Sequence, residues 1–145
     1  MKAIKIAQMP PPTLPITATV KQAVTALGSE RGCAVAVMEG DRLAGTISKD
    51  DILLRVVGGG LNAETTTVGQ VMTSPVRTAS VETKAEEALK LMISSRQCYL
   101  PLVDGEGRLK GWLAICHLFQ SQLEDLRGEL DSLEAYICVD GPGGD

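Results

Sequence analysis

A chain of 145 residues with 44% hydrophobic and 3% aromatic residues has material for one domain, or for two half-domains sharing an aliphatic core. Its formal net charge of −4 gives no basic footprint for nucleic acid or an anionic membrane surface. No apolar run approaches the ~20 residues of a membrane span, and the N-terminus MKAIKIAQMPPP lacks the apolar stretch of a secretory signal, so a cytoplasmic protein is expected.

A Pro-rich lead-in, Pro10 to Pro15, comes first. Val20, Ala23, Val24 and Leu27 then fall at i, i+3, i+4 and i+7, the apolar face of a helix. Ala34-Val35-Ala36-Val37-Met38 is a short continuous apolar run, which fits a strand buried on both faces. The polar turn Glu39-Gly40-Asp41-Arg42 predicts a hairpin into a second strand from Leu43. Ser48-Lys49-Asp50-Asp51 precedes the apolar pattern Ile52, Leu53, Val56. Ser48 is a natural N-cap with Asp51 at the third helical position, a near relative of the capping box. Gly58-Gly59-Gly60 stops that helix; it lacks the preceding strand and the Gly-Lys-Ser/Thr of a phosphate loop.

The series then recurs. Laying Ala23 on Ala88 puts Pro10 on Pro75, Thr13 on Thr78, Ser29 on Ser94, Arg31 on Arg96 and Cys33 on Cys98. One inserted residue in the second copy brings Arg42-Leu43 onto Arg108-Leu109 and Gly45 onto Gly111. The second copy has its own lead-in (Ser74 to Ser80) and its own helix face (Ala85, Ala88, Leu89, Met92). A strand (Tyr99 to Val103), a turn (Asp104 to Arg108) and a second strand from Leu109 follow. Each copy reads β-α-β-β-α, and neither is large enough to bury an adequate core alone. The predicted fold is α/β (α+β), with a first repeat at 1–60, a second at 61–122 and one core shared between them.

A C-terminal amphipathic helix is predicted over 123–140, and a disordered tail over 141–145. Phe119, Leu123, Leu126, Leu130, Leu133 and Ile137 are spaced by alternate steps of four and three. That is a heptad seam, or an ordinary amphipathic helix lying on its own module; so short a pattern does not separate the two. A parallel zipper would bring Glu129 of one chain toward Glu134 of the other. An antiparallel pairing brings Arg127 near Glu134, so the expected homodimer packs its tails antiparallel or docks them on the partner's module.

Catalytic signals are absent. The four cysteines form no C-x-x-C pair, and His117 alone supplies too little for a metal site or a nucleophile–base pair. Cys33 and Cys98 are expected as small buried hydrophobes in a reducing compartment. The chain is expected not to be an enzyme and to need no cofactor.

The duplicated pieces resemble a known family. V68-G-Q-V-M-T-S-P-V-R-T with Y99-L-P-L-V-D-G-E-G-R-L-K-G is similar to a cystathionine-β-synthase (CBS) domain, and L43-A-G-T-I-S-K-D-D-I-L to another. The resemblance implies a stand-alone Bateman module, two repeats packed into a pseudo-twofold disc that dimerises. It further implies clefts between the repeats for an adenosine ligand, with AMP, ADP, ATP or S-adenosylmethionine as candidates. The family's cleft signature is Gly, two apolar residues, Ser or Thr, two variable residues, then Asp. It maps onto Gly45 to Asp51, which assigns the ribose to Asp51 and ribose or phosphate to Ser48. Lys49 would add a positive charge there. Ser48 and Asp51 acting only as a helix cap remains the alternative. In the second copy Ala114 and His117 stand at those positions, so that cleft is expected to be empty or to bind something else. The implied function is nucleotide sensing in regulation of an unidentified protein; the alternative is a ligand-free dimerisation or interaction scaffold.

Overall fold

Each copy of the repeat builds one three-stranded sheet in the computed structural model of the chain, which describes residues 1–30 and 32–140. In the first sheet β1 (Thr13–Pro15) runs parallel to β2 (Ala34–Glu39), and β2 pairs antiparallel with β3 (Arg42–Ser48). In the second, β4 (Ala79–Ser80), β5 (Tyr99–Val103) and β6 (Leu109–Ala114) repeat that arrangement. Helices α1 (Val20–Glu30) and α4 (Ala85–Ser95) are the crossovers. The expected β-α-β-β-α order is therefore the observed one. The disorder expected for 141–145 lies outside the described residues.

Strand β2 shows how an unbroken apolar run is used. Side chains alternate across a strand. Val35 and Val37 enter a cluster with Val20, Ala23, Leu27 and Ile47. Ala34 and Ala36 face the other way, onto Trp112 with Tyr99 alongside. In the second repeat, Leu100 and Leu102 join Ala88, Met92, Leu113 and Leu118. The single shared core expected from the sequence is thus divided. Each repeat has its own cluster, and a thinner layer of small and aromatic residues seals the two sheets together. The alanines matter there because a larger side chain would hold the indole away.

Equivalent positions carry equivalent irregularities. Both hairpins have a register shift, at Val37/Met38 and at Leu102/Val103. Arg42 and Arg108, matched in the repeat, form an antiparallel bridge with each other, as residues beside a twofold axis do. The segment leading into each repeat packs on the other repeat. Ala3 is buried in the second-repeat cluster, and its N–H donates to the Thr83 carbonyl at 2.8 Å. Val68 and Val71 of α3 (Val68–Val71) are buried in the first-repeat cluster, and Val68 N–H donates to the Ala18 carbonyl at 2.8 Å.

The matched glycines allow this exchange. A Cβ on Gly45 would sit 2.5 Å from the Thr73 carbonyl oxygen, and one on Gly111 would sit 2.6 Å from Ile4 Cδ1. Gly45→Ala should therefore destabilise the protein by about 1–3 kcal/mol through overpacking. Gly28→Ala, where the added carbon meets nothing within 4 Å, should be neutral or stabilising. Urea unfolding of the two variants checks this; equal midpoints would refute the close-approach role.

Two helices differ from expectation. Val24 and Leu53, predicted on buried faces, are 49% and 59% exposed. The helix after β3 begins as α2 (Lys49–Asp51) but widens into a π-helical stretch, Ile52–Val57, which keeps Val56 buried and turns Leu53 outward. The last helix, α5 (Ile115–Asp140), is one continuous element of 26 residues, about 39 Å at 1.5 Å per residue. Its first turns close the second core through Leu118. Beyond them Leu123, Leu126, Leu130 and Leu133 are each more than half exposed. Cys33 and Cys98, expected to be buried, are exposed free thiols. They stand one residue before β2 and β5, just outside the sealed layer.

Candidate functional site

The sequence of β3 ends in Ser48, whose extended backbone (φ −112°, ψ 167°) turns the chain into α2. Ser48 Oγ accepts the Asp51 N–H at 3.0 Å, and Asp51 Oδ2 accepts the Ser48 N–H at 2.9 Å. This is the reciprocal capping box the spacing predicted, with Asp in place of Glu. Ser48 Oγ also donates to Oδ2 at 3.0 Å.

The other carboxylate oxygen reaches across the exchange of segments. Thr73, in the strap that leads from α3 into the second repeat, donates its hydroxyl to Asp51 Oδ1 at 2.8 Å. Arg55 Nε lies 3.8 Å from the same oxygen, and its Nη1 donates to the carbonyls of Val71 and Met72 at 3.1 and 2.9 Å. Asp51 is 8% exposed. A buried carboxylate is tolerated when it is hydrogen-bonded, and this one accepts three times.

The strap is pinned along its length. Thr73 and Thr46 exchange both main-chain hydrogen bonds, at 2.8 and 3.0 Å, and Ser74 Oγ donates to the Ala44 carbonyl at 2.8 Å. Beyond Ser74 the strap walls a cavity of about 320 Å³ together with Leu43, Ala44 and Gly45 of β3 and Val103 of β5. The cavity thus lies between the repeats, one step along the chain from the Asp51 network. Thr46 also hydrogen-bonds the Tyr99 phenol, 2.9 Å away, joining the sheets. Burial pushes the Tyr99 phenol pKa up, against the opposing effect of that hydrogen bond. Trp112 stacks on Tyr99 at 5.1 Å and 6° and is buried, so it is a strand aromatic of the sealed layer.

Of the predicted site residues, Ser48 and Asp51 are brought together. Lys49 is adjacent and exposed. Two N–H groups behind Ser48 are taken: Lys49 N–H donates to the Cys33 carbonyl at 3.0 Å, and that of Asp51 is held by the cap. Positive charge at this place comes from the Arg55 guanidinium beside Asp51 and from the exposed, adjacent Lys49 side chain. At the equivalent place in the second repeat, His117 Nδ1 is buried without a hydrogen-bond partner. The two places differ as Ala114 and His117 imply: one gathers donors onto a carboxylate, the other has neither carboxylate nor hydroxyl cap. Among the described residues no group of three or more His, Cys, Asp or Glu is placed to hold a metal ion, and no helix is long and apolar enough to cross a membrane.

Thr73 and Arg55 were not singled out from the sequence. Thr73 lies inside the V68-G-Q-V-M-T-S-P segment, but a partner on the opposite repeat has no local signature. Arg55, four residues after Asp51 in a helical stretch, is the one partner that i, i+4 spacing could have suggested.

Comparison with known proteins is consistent in kind. A family model described as CBS domain matches residues 3–58 and again residues 68–124. The CBS domain-containing protein CBSX3, mitochondrial, of Arabidopsis thaliana is 32% identical over 124 residues, covering 82% of this chain and 60% of that protein. CBSCBSPB5 of the same plant is 35% identical over 85 residues, which is 59% of this chain but 16% of its own length. The chain thus spans less than two thirds of both relatives. Among solved structures, one with CBS domains from Burkholderia ambifaria MC40-6 superposes with a TM-score of 0.77 at 27% identity, covering 86% of this chain and 96% of that one. The structure of CBSX2 in complex with AMP superposes with a TM-score of 0.72 at 20% identity, covering 85% and 96%.

Proposed function

This chain belongs to the CBS-domain family as a tandem pair, and from that premise we propose that it is a regulatory module, not a catalyst, that binds an adenosine ligand between its repeats. The candidates are AMP, ADP, ATP and S-adenosylmethionine. The observation that carries the proposal is the Ser48–Asp51–Thr73 network, a nearly buried carboxylate joining one repeat to the strap of the other, the same strap that walls an inter-repeat cavity from Ser74 onward. In this reading Asp51 accepts from the ribose hydroxyls, Ser48 contacts ribose or phosphate, and the exposed Lys49 ammonium meets phosphate. AMP in the CBSX2 structure supports the ligand class. The unidentified regulated protein would sense the liganded state of the disc.

A thermal-shift panel of AMP, ADP, ATP, S-adenosylmethionine and NAD tests the reading. A ligand at a hundred times its Kd stabilises the folded form by about 2.7 kcal/mol, and should raise the melting temperature by several degrees. No shift with any of them would favour the second reading, a ligand-free association scaffold. That reading draws on the exposed leucines of α5. Both readings include a homodimer held by the discs and by α5.

A further inference from the structure

Asp51 has one acceptor direction left, and a ribose needs two. A carboxylate offers about four lone-pair directions. Oδ2 takes the Ser48 N–H and the Ser48 hydroxyl. Oδ1 takes the Thr73 hydroxyl at 2.8 Å with the Arg55 guanidinium close by. Three directions are taken and Asp51 is 8% exposed, so a vicinal diol, which donates twice, cannot be accepted on top of these partners. One of them has to leave.

The bonds to Ser48 belong to the helix cap, and removing them frays the start of α2. Arg55 is fixed by its own bonds to two strap carbonyls. The Thr73 hydroxyl is different. The main chain around it is held without it, by the two-way pairing with Thr46, by Arg55 on Val71 and Met72, and by Ser74 on Ala44. Its side chain can turn to another staggered rotamer while the strap stays in place. Thr73 is only half-buried, so the departing hydroxyl has water to meet.

We infer that the Thr73 hydroxyl is a built-in competitor of the ligand, occupying the Asp51 oxygen that a ribose requires, and that binding exchanges one donor for the other. The inference rests on the adenosine reading of the site and adds its regulation: the second repeat's strap sets the ligand concentration to which the first repeat's carboxylate responds. Each binding event breaks one charge-assisted hydrogen bond, so the competitor weakens apparent affinity, as any equilibrium that hides the competent state does. It also gives the ligand a way to report, because the bond that it replaces is one that ties the two repeats together.

The test is calorimetric titration of AMP into the intact protein, wild type against Thr73→Val and Thr73→Ser, with melting temperatures recorded without ligand. Valine keeps the shape and removes the donor. Thr73→Val should bind AMP about tenfold more tightly, equivalent to ~1.4 kcal/mol, although it melts lower than wild type when free. Thr73→Ser keeps the hydroxyl and should match wild type in affinity. A purely structural hydroxyl would instead give Thr73→Val a lower melting temperature with unchanged or weaker binding, and that result overturns the inference while leaving the adenosine reading intact. Binding by Thr73→Val where wild type shows none would support the competitor in its strongest form. Absence of binding by all three proteins, with AMP and with the rest of the nucleotide panel, would remove the adenosine reading and the competitor together.

Discussion

Replacing Asp51 by alanine should damage the protein twice. Without ligand, the variant loses the acceptor for the Ser48 N–H, the Ser48 hydroxyl and the Thr73 hydroxyl. Hydroxyls can turn to other partners, but a part-buried N–H cannot, and an unsatisfied donor costs roughly 1–3 kcal/mol. With the loss of the cap's second half, a stability decrease of about 2–3 kcal/mol is expected. In the presence of ligand the ribose contacts are lost as well, and affinity should fall by roughly 10- to 100-fold, the worth of one charge-assisted hydrogen bond. His117→Ala, at the equivalent place in the second repeat, removes a side chain whose Nδ1 has no hydrogen-bond partner, and should change both quantities far less. Urea unfolding and calorimetry of the two variants, well below their melting temperatures, separate the effects. Equal losses for Asp51→Ala and His117→Ala would defeat the asymmetry of the two places.

Placing Asp at both Leu126 and Leu130 should convert a dimer to monomers. These side chains are 55% and 58% exposed on a helix that runs on past the second core. Burying a leucine is worth roughly 1.5–3 kcal/mol, and a dimer would lose four of them and gain four carboxylates. A dissociation constant raised about a thousandfold or more is expected, ~4 kcal/mol or more. The charges flanking the seam favour the antiparallel arrangement, since Arg127 can meet Glu134 of the other copy, whereas a parallel zipper sets Glu129 against Glu134. Ile137, the last position of the seam, has no described side chain. Sedimentation of the double variant as a dimer would show that the discs alone suffice; a monomeric wild-type protein at micromolar concentration would refute the homodimer itself.

The order of elements was legible because the chain states it twice. A helix face such as Ala85, Ala88, Leu89 and Met92 is weak alone, and persuasive when Val20, Ala23 and Leu27 occupy matching places. The Ser48–Asp51 capping box was legible because its residues are three apart, so local geometry brings them together. What could not be read lies between distant segments. The exchange that buries Ala3 with the second repeat and Val68 with the first depends on which surfaces are complementary, and neither segment's pattern names its partner. The outward turn of Leu53 came from the widened helix after Asp51, since a periodicity of 3.6 residues does not describe a π-helical stretch. The exposure of Cys33 follows from the sealed layer ending at Ala34, a boundary set by where Trp112 and Tyr99 stop. Thr73 was hidden for the same reason as the exchange: its partner Asp51 is on the other repeat.

The adenosine reading stands or falls on recognition of the ribose. The direct measurement is calorimetric titration of the intact protein with AMP and, in parallel, with 2′-deoxyadenosine monophosphate. A carboxylate that accepts from a vicinal diol should lose one charge-assisted bond with the deoxy ligand. The expected result is one AMP bound per chain, in the cleft that contains Asp51, and deoxy-AMP bound at least tenfold more weakly. Equal affinity for the two nucleotides, or two equivalent sites per chain, would contradict it.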